Sequence, residues 1–206
     1  MSVFVKICGL ANEADVQAVM AMDPDAMGFV FYSKSPRAVT AEQVADWTEN
    51  IPEGILKVGV TVDLSAKENL RIADEAGLDV LQLHGSETDW SWCPPLVEIW
   101  KVVHLDRGIS AAVETLDTLL IDSYTEAMPG GTGLTVDWEK ARLFVESAKV
   151  LDQRVLLAGG LKAENVGEAI AAVHPWGVDV SSGVEFEPGR KNHAAVQAFI
   201  DAARSG

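Results

Sequence analysis

A cysteine and a lysine near the start of the chain have the spacing of reactive groups at the end of a strand. Between residues 3 and 8, three aliphatic side chains alternate with an aromatic ring, the Lys6 ammonium and the Cys8 thiol, and Gly9 follows at once. This alternation predicts a β-strand with Lys6 and Cys8 on the same face. A lysine beside a cysteine is unusual on a packing surface, so we interpret Cys8 as a reactive thiol. The alternative is that Cys8 is a small hydrophobic residue buried in the core.

Three further side chains that could take part in chemistry follow apolar segments or lie in a short loop. Asp122 ends an apolar run and is in phase with Leu120, so both point to the same side of a strand. A carboxylate there could be a metal ligand, an acid catalyst or an ion-pair partner; because no ligand-spaced His and Asp cluster accompanies it, we expect no metal. Arg37 could bind a carboxylate through two parallel hydrogen bonds, or could be a surface arginine. His84 ends another apolar run, and it could pack or form a structural hydrogen bond as well as take part in catalysis.

Two glycine-containing turns follow the last two apolar runs of the chain. One is Gly159-Gly160 and the other is Ser181-Ser182-Gly183. Each turn leaves backbone N–H groups exposed before a helical segment, whose N-terminus favours an anion. Either one alone could be only a tight turn. Both at successive strand ends predict a phosphate-binding site.

The spacing of apolar residues predicts the elements that position these side chains. Predicted strands cover residues 3–8, 26–32, 56–62, 80–84, 97–104, 118–122, 155–158 and 177–181. Predicted helices cover residues 11–22, 40–50, 65–76, 109–114, 138–149, 163–173 and 192–203. We interpret the chain as eight strand-then-helix units without hairpins, which predicts a single-domain (β/α)8 TIM barrel over residues 1–206. The alternative is an open doubly wound sheet, which usually has fewer strands and a glycine-rich fingerprint after the first one.

A barrel of this kind would bring the chemistry-bearing residues together. The active site of such barrels lies at the carboxyl ends of the strands. Cys8, His84, Asp122 and the two glycine-containing turns would therefore meet at one end. Lys6 and Asp179 would both point inward on adjoining strands, and we expect them to form a buried ion pair that positions the site.

Composition limits the classes of function. The chain has 206 residues, 48% of them hydrophobic, and a formal net charge of -15. The charge argues against nucleic acid and against an anionic membrane surface, and it requires local dipoles or a placed cation for any anionic substrate. Two cysteines are too few for a disulfide framework, and we find neither a leader nor an apolar run that could span a membrane. We therefore expect a cytoplasmic protein, and we expect it to be a monomer.

Several segments carry a family resemblance. The most specific are Lys6-Ile7-Cys8-Gly9 and Asp179-Val180-Ser181-Ser182-Gly183-Val184-Glu185. The others are residues 28–32 with 35–37, 58–60, 81–85, 130–133 with 137–138, and 158–161 with 164–166. In order and at the expected strand ends, these segments resemble the phosphoribosylanthranilate isomerase family. One departure is Val136, where an aromatic residue is expected, and it affects only the packing of that loop.

The resemblance implies an Amadori rearrangement of N-(5-phosphoribosyl)anthranilate in tryptophan biosynthesis, without a cofactor. It implies that Asp122 is the general acid and Cys8 the general base, with Arg37 on the substrate carboxylate and the two turns on its phosphate. We expect His84 and Asp179 to line the substrate site. Since a free thiol, with a pKa of about 8.5, is only a few per cent thiolate at neutral pH, we expect Lys6 or strand-end dipoles to raise that fraction. Asp122 must hold a proton, which burial among apolar side chains favours.

Two other functions stay open at this point. One is a histidine-pathway or dual-substrate sugar-phosphate isomerase on the same barrel; those relatives look as though they use an aspartate at the position of Cys8. The other is a phosphate-binding barrel without catalytic activity. The presence of Cys8, Asp122 and Arg37 together argues against the second.

Overall fold

Eight short parallel strands form the inner layer of the protein. The computed structural model describes residues 2–106, 108–122, 124–125, 128–129 and 137–205. The glycine-rich segment 130–133 and Val136, which contributed to the family resemblance, lie outside the described residues. The strands are β1 (Phe4–Ile7), β2 (Ala26–Val30), β3 (Leu56–Thr61), β4 (Val80–Leu83), β5 (Glu98–Val103), β6 (Thr118–Ile121), β7 (Arg154–Leu157) and β8 (Gly177–Val180).

These strands close into a barrel in the order of the sequence. Each strand pairs in parallel with the next one, and β8 pairs with β1. The predicted TIM barrel is confirmed, and the doubly wound alternative is wrong. The predicted strands begin and end within a few residues of the observed ones, since the apolar runs that predicted them are the buried parts of the sheet.

Helices cover the outside of the barrel. They are α1 (Glu13–Met20), α2 (Ala41–Trp47), α3 (Ala66–Glu75), α4 (Trp138–Val150), α5 (Ala163–Val173) and α6 (His193–Ser205). Asn12 and Thr40 are the N-caps of α1 and α2, where their side chains accept hydrogen bonds from the backbone N–H groups of Asp15 and Gln43. None of the helices in the described part of the chain is long and apolar enough to cross a membrane.

The interpretation of the chain as eight strand-then-helix units is wrong at one connection, between β4 and β5. The segment between β4 and β5 contains no helix, and Pro94-Pro95 within it cannot supply backbone donors for one. Between β5 and β6, the short helix predicted at residues 109–114 is observed as a 3-10 helix, Ala111–Thr115. Hairpins also occur, although outside the barrel. They join Glu185–Glu187 to Arg190–Lys191 and Tyr124–Thr125 to Met128–Pro129.

Alternation along the strands divides the core into two layers. Outward-facing residues such as Ile7 and Leu81 pack against the helices, while inward-facing residues such as Val80 and Leu120 fill the barrel. At the amino-terminal end of the barrel, Phe4 stacks on Trp176 with ring centroids 4.3 Å apart. The carboxyl end is instead lined by inward-facing polar side chains, and that is where the candidate site lies.

Candidate active site

A cavity of about 100 Å³ at the carboxyl ends of the strands contains both reactive groups singled out in the sequence. It brings together Cys8 from β1 and Asp122 from the end of β6. Its polar lining also includes Tyr32, Ser35, Arg37, Gln82, His84, Asp179 and Ser181. The structure therefore places five predicted site residues and one residue of the second turn around a single space.

A second, smaller cavity continues from the first. Both cavities share Asp122, Asp179 and Ser181. The smaller one is lined by both glycine-containing turns, with Gly159, Gly160, Ser182 and Gly183 among its residues. A larger cavity of about 410 Å³ lies beside them and shares Val62 and His84 with the first. That larger cavity includes neither Cys8 nor Asp122, so its size does not make it the reactive centre.

The Cys8 thiol is packed tightly at the end of β1. It is 7% exposed, and a Cβ atom added to Gly28 would lie 2.7 Å from its Sγ, so the glycine makes room for the sulfur. Burial raises the pKa of Cys8, and the nearby Lys6 ammonium lowers it by less. The expectation that the thiolate fraction of Cys8 is larger than that of a free thiol is therefore wrong, because the pKa is raised overall. Lys6 acts in the expected direction, but desolvation outweighs it.

Lys6 and Asp179 form the predicted buried ion pair. Their backbones are register partners in β1 and β8, and Lys6 Nζ donates to Asp179 Oδ1 at 2.8 Å. The Lys6 side chain is fully buried and that of Asp179 is 9% exposed. The pair ties the first strand to the last directly beneath Cys8.

His84 lies against Asp122 as a neutral ring. His84 Nε2 is 3.7 Å from Asp122 Oδ2, and no residue in the described ranges forms a hydrogen bond with that nitrogen. Burial lowers the pKa of His84 to about 3, with further lowering by electrostatic interactions with His104, Lys101 and Lys6. His84 is therefore uncharged at neutral pH and cannot act as a cation toward a substrate. It can donate or accept one hydrogen bond beside the Asp122 carboxyl group.

Arg37 is held by an acidic residue that the sequence did not single out. Its Nε and Nη2 donate to Glu185 at 2.9 and 2.6 Å, and Arg37 is only 9% exposed. The interpretation of Arg37 as a surface residue is wrong. Two of its donors face this internal carboxylate, while no described residue accepts a hydrogen bond from its Nη1. Arg37 lines the Cys8 cavity, so its unbonded edge can meet a carboxylate there.

Glu185 also joins Arg37 to the second turn. Lys191 Nζ donates to Glu185 Oε1 at 2.9 Å and to the Ser181 carbonyl at 3.1 Å. Burial alone would raise the pKa of Glu185, but the hydrogen bonds and charges of Arg37 and Lys191 outweigh it and keep that pKa below its usual range. Glu185 is therefore a charged, buried link between the Arg37 loop and the last turn.

The two glycine-containing turns are shaped by their surroundings. Gly159 and Gly160 have φ values of 86° and 68°, which side-chain-bearing residues rarely adopt. The Asn165 side chain accepts from the Lys162 N–H at 2.8 Å and donates to the Gly160 carbonyl at 3.1 Å. It thereby fixes the first turn to the start of α5.

The second turn packs against the residue that follows the first. A Cβ atom on Gly183 would lie 1.9 Å from the Leu161 carbonyl oxygen, so only glycine fits between them. The two turns consequently form one rim. Within the described ranges, no group of three or more His, Cys, Asp or Glu side chains is arranged to bind a metal ion.

The family model for N-(5′-phosphoribosyl)anthranilate (PRA) isomerase matches residues 5–202. An N-(5′-phosphoribosyl)anthranilate isomerase from Pseudomonas fluorescens (strain Pf0-1) is 42% identical over 204 residues, covering 97% of each chain. The chain belongs to this family. It is therefore an isomerase, as its sequence resemblance implied.

Solved structures of the same family superpose over nearly the whole chain of this isomerase. The enzyme from Thermus thermophilus is 30% identical, with a TM-score of 0.85 and 98% of each chain covered. Another, solved in complex with reduced 1-(o-carboxyphenylamino)-1-deoxyribulose 5-phosphate, is 30% identical with a TM-score of 0.80, covering 99% of this chain and 100% of that one.

Sequence reasoning missed the contacts that Glu185 and Lys191 make in this isomerase. In the sequence, Glu185 stands out only as the last residue of the Asp179–Glu185 motif. A signal for Glu185 existed, because a carboxylate two residues after a predicted anion-binding turn needs a cation. For Lys191, which lies in a short hairpin, no pattern indicates that its side chain is fully buried.

Proposed function

We propose that the protein converts N-(5′-phosphoribosyl)anthranilate to 1-(2-carboxyphenylamino)-1-deoxyribulose 5-phosphate, in tryptophan biosynthesis, with Asp122 as general acid and Cys8 as general base. The observation that carries the proposal is that both groups line one cavity, which continues into the cavity formed by the two glycine-containing turns. The reaction needs one acid and one base near a sugar that ends in a phosphate. The relative solved with a reduced product analogue supports the same substrate class.

The substrate would lie with its phosphate at the rim and its carboxylate at Arg37. Gly159, Gly160, Ser182 and Gly183 offer backbone N–H groups to the phosphate without placing a formal charge there. This suits a chain with a net charge of -15, in which the general field repels anions. Arg37, oriented by Glu185, would present its remaining donors to the anthranilate carboxylate.

In the first step, the Asp122 carboxyl group protonates the ribose ring oxygen, and the C1–O bond breaks to give a protonated Schiff base. The neutral His84 ring, with Nε2 3.7 Å from Asp122 Oδ2, places no positive charge of its own beside that carboxyl group. In the second step, the Cys8 thiolate removes the C2 proton and an enolamine forms. The enolamine then becomes the ketone of the product. No redox partner is required, because oxidation at C2 balances reduction at C1.

Lys6 serves the second step through Cys8. Its ammonium lowers the pKa of the thiol against the larger effect of burial. Asp179 in turn holds Lys6 in place at 2.8 Å. Because burial keeps the pKa of Cys8 raised, the thiolate is a minor species at neutral pH but a strong base once formed.

The test is turnover of purified variants, followed by the fluorescence of the anthranilate group. Cys8→Ala and Asp122→Asn are each expected to lower kcat by about two to four orders of magnitude, the usual span for one acid or base. Matched controls are Cys93→Ala, at the half-buried second cysteine, and Asp106→Asn, at an exposed carboxylate paired with Lys140. Both controls should retain normal turnover. Near-normal turnover of C8A or D122N would remove that residue from the mechanism.

Growth rescue separates this function from its nearest alternative. The gene is expected to restore growth of a tryptophan auxotroph that lacks the isomerase, and not of a histidine auxotroph that lacks the corresponding enzyme. Rescue of the histidine auxotroph alone would contradict the proposal. The single domain over residues 1–206, the monomeric state and the cytoplasmic location stay predictions; the elution volume in size-exclusion chromatography tests the second of these.

A further inference from the structure

Gln82 is a buried amide on the wall of the Cys8 cavity that the mechanism above does not use. It lies in β4, where Leu81 and Leu83 face the helices and Val80 faces the barrel interior. Alternation therefore directs Gln82 inward. The residue is only 2% exposed and lines the cavity that contains Cys8 and Asp122.

Six side-chain polar atoms in the described residues are buried without a hydrogen-bond partner, and only Gln82 Oε1 and His84 Nε2 belong to residues that line the Cys8 cavity. Oε1 is fully buried and accepts no hydrogen bond from the described part of the chain. Gln153 shows the ordinary arrangement: it is 8% exposed, and its Nε2 donates to the Val113 and Leu116 carbonyls at 2.8 and 2.7 Å. Buried polar groups in proteins are nearly always hydrogen-bonded, and an unpartnered one destabilises the fold. An unpartnered acceptor at the wall of a reaction cavity therefore indicates a donor that arrives with a ligand.

We propose that Gln82 contacts the substrate, with Oε1 accepting a hydrogen bond from an N–H or O–H donor beside the C1–C2 bond. This inference rests on the proposed function. If Cys8 acts at C2 and Asp122 at the ring oxygen, the groups on this segment that can donate are the secondary amine and the C2 hydroxyl. A neutral amide suits this position, because a carboxylate would add negative charge next to Asp122, Asp179 and an anionic substrate. The contact would fix the rotation of the reacting segment while the rim holds the phosphate.

The experiment compares Gln82→Met with Gln153→Met by thermal unfolding and by steady-state kinetics. Methionine preserves the approximate size and removes the amide in both cases. Q82M is expected to unfold at or above the wild-type temperature, because it removes an unpartnered polar group, and to lower kcat/KM by about 10- to 100-fold. Q153M is expected to unfold at a lower temperature, because it loses two hydrogen bonds, and to retain the wild-type kcat/KM. Inorganic phosphate, used as a probe of the rim, should bind Q82M as it binds the wild type.

The possible outcomes separate a substrate contact of Gln82 from a structural role and from failure of the proposed function. Equal kcat/KM values for Q82M and an active wild type overturn this inference and leave the proposed function intact. A fall in the unfolding temperature of Q82M as large as that of Q153M assigns the amide a structural role and also overturns it. A wild-type protein without isomerase activity refutes the proposed function, and the inference with it.

Discussion

Replacement of Glu185 by glutamine tests how the site is held together. Glu185 accepts hydrogen bonds from Arg37 Nε and Nη2 and from Lys191 Nζ, at 2.9, 2.6 and 2.9 Å. Glutamine has nearly the same shape but no charge, and its NH2 group must face one of these donors. Arg37 and Lys191 would then be buried cations without a counter-charge.

The size of the effect follows from burial. The side chains of Arg37 and Glu185 are 11% and 4% exposed, and that of Lys191 is fully buried. Removing one partner of a buried ion pair lowers the free energy of unfolding by about 3–5 kcal/mol. For a chain of this length, that corresponds to about 6–20 °C in Tm. The matched control is Glu75→Gln, since the Arg71–Glu75 pair is 58% and 46% exposed and is expected to contribute about 0–1 kcal/mol.

Urea unfolding and steady-state kinetics measure the two consequences. E185Q should unfold at a lower urea concentration with an unchanged m-value, and E75Q should match the wild type. E185Q should also raise KM more than it lowers kcat, because Arg37 loses the partner that orients it toward the substrate carboxylate. If E185Q and E75Q lose equal free energies of unfolding, the network does not stabilise the protein and the reasoning is refuted.

The pH dependence of stability gives a second check on the same carboxylate. The pKa of Glu185 is lower in the folded protein than in the unfolded chain, where a glutamate titrates at about 4.3. Its contribution is therefore fully present above about 4.3 and is lost as the pH falls through the lower folded-state value. E185Q should lack this part of the loss of stability in acid. An identical acid dependence in E185Q and the wild type would contradict the assignment.

Three further predictions concern Cys8, Gly183 and Lys6. Because burial raises the pKa of Cys8, kcat/KM should increase with pH through an apparent pKa above about 8.5; a pH–rate profile measures this, and a limb well below that value would contradict it. Gly183→Ala should lower Tm, since its Cβ would meet the Leu161 carbonyl at 1.9 Å, whereas Gly167→Ala, with open space around it, should not. Lys6→Met leaves Asp179 buried without its partner and should lower the free energy of unfolding by about 3–5 kcal/mol. Urea titration measures this difference, and a free energy of unfolding equal to that of the wild type would contradict the prediction.

The residues that could be located from the sequence are those governed by strand periodicity. Cys8, Asp122 and Asp179 follow or end apolar runs, and alternation fixes their direction once the barrel is assumed. The Lys6–Asp179 pair follows from the same two facts, because the first and last strands of a closed barrel are neighbours. Both turns could be located because each places glycine where a strand ends; Gly159 and Gly160 adopt positive φ there, and Gly183 makes room for the Leu161 carbonyl.

Other features depend on contacts that no local pattern encodes. Glu185 and Lys191 lie in a short hairpin and Arg37 in a loop, where side-chain direction has no period. The net shift in the pKa of Cys8 is a balance between burial and the Lys6 charge, and sequence gives the sign of each but not which is larger.

The pairing of β1 with β8 has a consequence for biosynthesis. Lys6 and Asp179 are 173 residues apart in the chain, and the ribosome delivers the amino-terminal half first. Until the last strand emerges, the edge of β1 that pairs with β8 has no partner, and Lys6 has no counter-charge. Damage to the first strand should therefore appear first as poor yield from translation, before any defect is seen in the enzyme that does mature.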